Sequence, residues 1–285
     1  MHVQLTRPAD ISPHPRRSEW IRLSKWIGSG SAIRLVVVLA MICGFAGAGR
    51  VLAANAQATP ESPPLPPAEV DATMFEAGVA NPYFPLVPGT TSVYEGMSED
   101  GPELVEVTVT FDTKTILGVV CTVVRDTVSV DGELVEDTYD WFAQDNAGNV
   151  WYFGEASADY EDGEVVSTDG SWEAGVDGAV PGIVMPADAV VGDPYYQEYA
   201  PGEAEDIGQI IAVDQTIAVT YGTFTDVIVT EDTNPLEPGP VEHKSFAPGV
   251  GLVLEEKVAG DEGRVELVEI RQGTEATPES GLNGL

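Results

Sequence analysis

The segment Tyr195-Tyr196-Gln197-Glu198-Tyr199, followed closely by Glu205-Asp206, gathers the residue types best suited to holding a ligand. Tyrosines supply flat amphipathic surface, and carboxylates supply acceptors. Hydrolysis of a glycosidic bond needs two carboxyls about 5–9.5 Å apart, one with a raised pKa. Glu198 and Glu205 are the candidate pair for that chemistry. The competing reading is an aromatic strand with a solvated acidic face. Trp172, placed after Asp169-Gly170, either stacks on a sugar or apolar ligand or closes the core.

Oxygen ligands for a hard cation such as calcium are offered by Asp145, Asn146 and Asn149 in DNAGN, and by Asp159, Glu161 and Asp162 in DYEDG. Neither segment matches the twelve-residue calcium loop with its distal Glu. Both read equally as hairpin turns made of ordinary turn residues. The signatures G-x-S-x-G, H-E-x-x-H and G-x-x-x-x-G-K-[ST] do not occur, and His243 is the only histidine after residue 14. A histidine triad or histidine metal site therefore has little to build on. Cys121, within Val-Val-Cys-Thr-Val, reads as a buried core thiol. No catalytic residue and no cofactor beyond calcium is named by these patterns.

Charge divides the chain in two. Of the 13 Lys and Arg and the 47 Asp and Glu, residues 1–58 hold seven cations and two acids, or 7 − 2 = +5. The other 227 residues hold 6 cations and 45 acids, or 6 − 45 = −39. Leu35–Gly49 is an uninterrupted apolar and small-residue run, followed by Ala56-Gln57-Ala58. Its fifteen residues reach about 22 Å as a helix, short of a bilayer core of about 30 Å. A basic leader, a short apolar helix and a small-residue exit describe a secretory signal, or, uncleaved, an N-terminal membrane tether. Either places the acidic part outside the cytoplasm, with the membrane touched only through that segment. So acidic a chain excludes nucleic acid as a partner, because phosphates need cationic contacts. It leaves a small-molecule or protein ligand of unstated identity, or a solvated acidic coat.

The elements that must position these residues read as strands. Residues 59–80 form a Pro-rich linker, 81–271 the acidic β-domain, and 272–285 a disordered tail. Alternation places Val105, Val107, Val109 and Phe111 on one face and Glu106, Thr108 and Thr110 on the other. Asp131-Gly132 turns the chain, after which Val135, Tyr139 and Trp141 form the next apolar face. Trp172–Gly192 is the longest irregular stretch, and Ala204–Ile211 can form a helical turn or two. Lys244 is expected to make an ion pair that ties down the loop Pro235–Pro248.

Asn81-Pro82-Tyr83-Phe84-Pro85-Leu86-Val87-Pro88-Gly89 resembles the opening of an uncharacterised group of exported bacterial β-proteins. Ala247-Pro248-Gly249-Val250-Gly251-Leu252-Val253 is similar to their closing strand. The resemblance implies export and a curved half-barrel like that of lipoprotein carriers, and it transfers no catalytic residue. The expected fold is all-β: an antiparallel curved sheet, half-barrel or two-layer sandwich, preceded by one N-terminal hydrophobic helix. The expected function is a non-enzymatic ligand- or partner-binding envelope protein. The alternatives are a carbohydrate-active hydrolase or a structural acidic surface protein.

Overall fold

The computed structural model describes residues 63–98, 100–260 and 263–273. The expected hydrophobic helix, signal or tether and most of the tail lie outside these residues. Among them, regular structure is β apart from one 3-10 turn at Ala72–Met74. No helix of the described residues is long and apolar enough to cross a membrane.

Three short strands, β1 (Phe75–Glu76), β2 (Val79–Asn81) and β3 (Phe84–Leu86), come first. Five long ones follow: β4 (Thr90–Ser98), β5 (Gly101–Ile116), β6 (Val119–Val130), β7 (Glu133–Asp145) and β8 (Val150–Glu161). Short pieces then alternate with loops: β9 (Glu164–Ser167), β10 (Trp172–Glu173), β11 (Val180–Met185), β12 (Tyr195–Tyr196) and β13 (Glu198–Tyr199). The chain finishes with β14 (Ile207–Val219), β15 (Gly222–Thr233), β16 (Val241–Ala247), β17 (Gly251–Ala259) and β18 (Gly263–Gln272). Two-residue turns join several neighbours. At the β6–β7 turn Asp131 and Gly132 take φ of 52° and 84°, the left-handed pair that a type I′ hairpin requires.

Thirteen strands pair antiparallel in the order β12-β14-β15-β16-β17-β18-β4-β5-β6-β7-β8-β11-β13. The two ends of this path are consecutive pieces of one segment, separated by Gln197 alone. Tyr195 and Tyr196 face Gly208 and Ile207 on one side, while Glu198 and Tyr199 face Pro181 and Val180 on the other. The sheet is therefore a nearly closed barrel: the expected all-β antiparallel curved sheet is present, closed further than a half-barrel and not split into a sandwich. A twisted sheet of more than about ten strands must curl or split. Here it curls, bent further by register shifts in β5–β6, β7–β8 and β14–β15.

Strand structure also occupies segments expected to lack it. The supposed helical turn at Ala204–Ile211 becomes the start of β14, because Ile207 pairs with both Tyr196 and Thr233. Trp172–Gly192 contains β10 and β11, both paired with β8. Ordered contacts also begin ahead of Asn81: β1 pairs with β7, and Val70, Ala72 and Phe75 pack on the core.

The largest apolar cluster surrounds Phe142, Phe153, Val150 and Met185, each of them buried. Phe142 stacks on Tyr152 at 4.8 Å, and Phe84 sits edge-on to Phe142 at 5.2 Å. Phe84 also reaches Phe246, and the Gly249 amide donates to the Pro82 carbonyl at 2.7 Å. The opening and closing sequence motifs thus meet in space. Cys121 lies in the same cluster at 0% exposure. Burial pushes its thiol up to about 12.

Candidate functional site

Cross-strand partners share a face of a sheet, and the register shows what the barrel buries. One row runs Val124, Asp140, Glu155, Trp172, and the next runs Asp126, Thr138, Ser157. Glu136 lies opposite Val128. Thr138, Asp140 and Glu155 are 1–2% exposed, whereas Tyr139 is 40% exposed. The expected apolar face of β7 is reversed around Tyr139: the Glu136-Thr138-Asp140 face is the buried one. A bulge between Asp140 and Phe142 then brings Trp141 and Phe142 both into the core. Phe111, expected beside Val109, is 46% exposed after the register shift that follows Val109.

These buried acids are linked. Tyr152 donates its hydroxyl to Asp140 Oδ1 at 2.6 Å and lies 3.2 Å from Glu155 Oε2. The Trp172 indole N–H donates to Glu198 Oε2 at 2.7 Å, with its ring edge-on to Tyr152 at 5.5 Å. Glu198, 1% exposed, adjoins in turn the Asp206 carboxyl. Across the barrel Lys244 Nζ lies 3.0 Å from Asp232 Oδ2 and 3.7 Å from Glu242 Oε2, and its strand partners are Thr230 and Glu255.

Burying an ionised carboxylate is costly, so such groups keep their protons instead. Burial raises Asp140 to about 7, and a bond from Tyr152 only partly offsets it. Burial also lifts Glu155 and Glu198 well above the usual carboxylate range, and the neighbouring acids add to the effect. Asp206 rises to about 6, again chiefly through burial, with its bond to Glu198 and the nearby Lys244 acting the other way. Asp126 is raised in the same manner, with Asp140, Glu136 and Glu103 contributing. Burial alone would lower Lys244, but Asp232, Glu255 and Glu242 outweigh it and keep the ammonium charged. The predicted ion pair of Lys244 therefore exists: it lies on strand β16 and reaches Asp232 at the end of β15 and Glu242 at the start of β16.

The ligand-site candidates fall into separate places. Trp172, Tyr196, Glu198 and Tyr199 are together at the closure, with Tyr196 edge-on to Tyr199 at 5.1 Å. Tyr195 begins the same segment, and its hydroxyl is buried with no hydrogen-bond partner. Glu205 stands apart from Glu198 and accepts the Gly202 amide at 2.9 Å in a surface turn. The acid that meets Glu198 is its neighbour, Asp206.

The calcium candidates are held by their own turn. Asp145 Oδ1 accepts the amides of Ala147 and Asn149, and its Oδ2 accepts from Asn149 Nδ2 and the Trp151 indole, all at 2.8–2.9 Å. Burial would raise Asp145, but these bonds hold it below its ordinary value. The amide of Asn146 donates to the Met74 carbonyl, and Asn149 Oδ1 accepts the Ala187 amide. Asp159 faces Glu136 and Ser167 in the ladder. No group of three or more metal-ligating side chains occurs among the described residues.

Besides this interior, a solvent-open cleft of about 410 Å³ lies between the β4–β5 and β6–β7 turns. Glu95, Glu103 and Asp131 line it, with Pro102 and Leu104. The cations of the wall are committed to acids: Lys114 to Glu173, Arg125 to Asp137, Arg264 to Glu256 and Glu266, and Arg271 to Glu106 and Glu269.

No family model and no curated protein matches the chain. Two solved structures are similar to it. One is described as a "putative lipoprotein" from Parabacteroides distasonis: 14% identity, 66% of this chain and 98% of that one covered, TM-score 0.37. The other, from Bacteroides fragilis, is described as a "putative exported protein with YmcC-like fold": 13% identity, 67% and 99% covered, TM-score 0.39.

Proposed function

We propose that the chain is an exported, non-enzymatic binding module that takes a cationic partner outside the cytoplasm. Export is supported by the charge division between a basic, apolar leader and the acidic remainder. One observation carries the binding chemistry: Lys114, Arg125, Lys244, Arg264 and Arg271 all sit in ion pairs, against 45 acids in residues 59–285. The remaining exposed carboxylates give a surface of one sign, which attracts and orients a cation. The cleft bordered by Glu95 and Asp131, with the buried Glu103 at its wall, is a concave part of that surface. The carrier reading gains little from the barrel interior, which presents carboxyls where a lipid would need apolar walls. The hydrolase reading would rest on Glu198 as the acid, and its 1% exposure weighs against access by a sugar.

The test is a titration of the isotopically labelled full chain with a lysine-rich peptide, followed by NMR. Saturable shifts at Glu95, Glu103 and Asp131, weakening as salt rises to about 0.15 M, are expected. Shifts with a neutral oligosaccharide instead, centred on Trp172 and Tyr199, would move the assignment to the carbohydrate-active alternative.

A further inference from the structure

The barrel closes through a segment with very little backbone pairing of its own. Two residues of β12 pair with β14 and two residues of β13 pair with β11. Glycines on both flanks let the strands approach. A Cβ at Gly182 would lie 2.4 Å from the Gln197 carbonyl group, and one at Gly208 would lie 2.4 Å from Gln197 Nε2. At this seam the Gln197 amide donates to the Asp206 carbonyl at 2.8 Å. Beside that bond, the buried carboxyls of Glu198 and Asp206 adjoin, and an oxygen of each has no hydrogen-bond donor from the rest of the protein.

Two carboxylates cannot hydrogen-bond without a proton between them, since both are acceptors only. Glu198 Oε1 and Asp206 Oδ1 are each buried with no N–H or O–H donor supplied by the protein. Glu198 Oε2 already accepts from Trp172. The remaining donor is a proton carried by one of the two acids.

We propose that this carboxyl pair is a proton-dependent latch: a proton shared by Glu198 and Asp206 holds the Tyr195–Tyr199 segment across the seam, and its loss releases that segment.

Every neighbour bears on the direction of the response. Glu198 is faced by Asp140 on β7 and by Glu155 and Tyr152 on β8. Asp206 is faced by Asp232 on β15, Lys244 and Glu242 on β16 and Glu237 in the β15–β16 loop. The Glu198 contact and Lys244 favour ionisation of Asp206, but burial, with Asp232 and Glu237, outweighs them. The closed seam therefore binds a proton more tightly than an open, solvated one. Raising the pH favours opening, from the ordinary carboxylate range near 4 up to the pKa of the closed pair. Within that window the open fraction rises about tenfold per pH unit, because opening releases one proton.

Amide hydrogen exchange of the full chain, corrected for the intrinsic pH dependence of exchange, reads the latch directly. Protection at Gln197 and at its neighbours Tyr196 and Glu198 is expected to fall about tenfold per pH unit above about pH 4 and then level off. Protection within β4–β6 is expected to exceed that of the seam at every pH, because only global unfolding exposes those amides. In Glu198→Gln the carboxamide donates to Asp206 at any pH, so seam protection is expected to become flat. Asp206→Asn makes the reciprocal donor, and it serves if Glu198→Gln fails to fold. An unchanged pH profile in the variant that folds would overturn the latch. So would wild-type protection at the seam that merely equals that of β4–β6 at every pH, since that reports global unfolding alone.

Discussion

The wall of β4–β8 and the seam at Tyr195–Tyr199 close the same barrel by different means. Along the wall, β5 and β6 stay paired from Glu103–Val130 to Ile116–Val119, and β6 and β7 from Val130–Glu133 to Thr122–Phe142. Backbone ladders and the aromatic cluster at Phe142 and Phe153 hold that region, with the protonated acids Asp126, Asp140 and Glu155 buried beside them. At the seam the ladders shrink to two pairs on each side. Side-chain contacts, among them Trp172 to Glu198, carry more of the closure there. Closure of a large sheet thus depends most on chemistry where regular structure is shortest, and there a change of solvent reaches furthest.

The strongest way to probe this contrast is pH itself. Asp206 at about 6, Asp140 and Glu242 at about 7, and the higher Glu155 and Glu198 all exceed the ordinary unfolded value near 4. The folded state therefore holds extra protons. The stability they contribute is complete below the unfolded pKa and declines as pH rises through the folded values. Asp145 and Glu266, lowered in the fold, act oppositely and lose their contribution as pH falls below about 4. Urea unfolding is expected to show greatest stability near pH 5 and a loss of several kcal/mol by pH 8, at about 1.4 kcal/mol per unit of raised pKa.

Next in size are two substitutions of similar cost but different character. Phe153→Ala in the wall should cost about 3–5 kcal/mol by opening a cavity, equally at pH 5 and pH 8. Lys244→Met should cost a comparable 3–5 kcal/mol by orphaning Asp232, Glu242 and Glu255. Its loss should be larger at pH 8, above the value of about 7 for Glu242, so paired denaturation curves at the two pH values separate the cases. Gly182→Ala crowds the Gln197 backbone and should cost about 1–3 kcal/mol, with loss of exchange protection confined to the seam. Arg125→Ala removes an exposed pair with Asp137 and should change the melting free energy by less than about 1 kcal/mol.

Strand periodicity, the Asp131-Gly132 hairpin and the buried thiol of Cys121 could be read from the chain, because each depends on local residue types. The face presented to the interior could not. Alternation marks two faces of β7 without labelling them, and the usual assumption sends Tyr139 inward and Asp140 outward. The reverse holds because Tyr152, Ser157 and retained protons satisfy the polar face from other strands. Glu198 was legible as a site candidate, whereas its meeting with Asp206 rather than Glu205 was not. That choice depends on where β14 begins, which pairing with Tyr196 decides. Barrel closure was equally hidden, since nothing in YYQEY announces that its two halves belong to opposite sheet edges.

The neighbouring of β4 and β18 has a temporal consequence. Thr90 pairs with Gln272, so the first long strand waits for the last before its outer edge is covered. A chain delivered N-terminus first, from a ribosome or through a membrane channel, must hold β4–β8 with that edge open until the 272 − 161 = 111 residues from Glu161 to Gln272 arrive. Pairings so distant in sequence form slowly, and an open edge invites pairing with another chain. The interval before Gln272 emerges is when this molecule most needs a chaperone's cover.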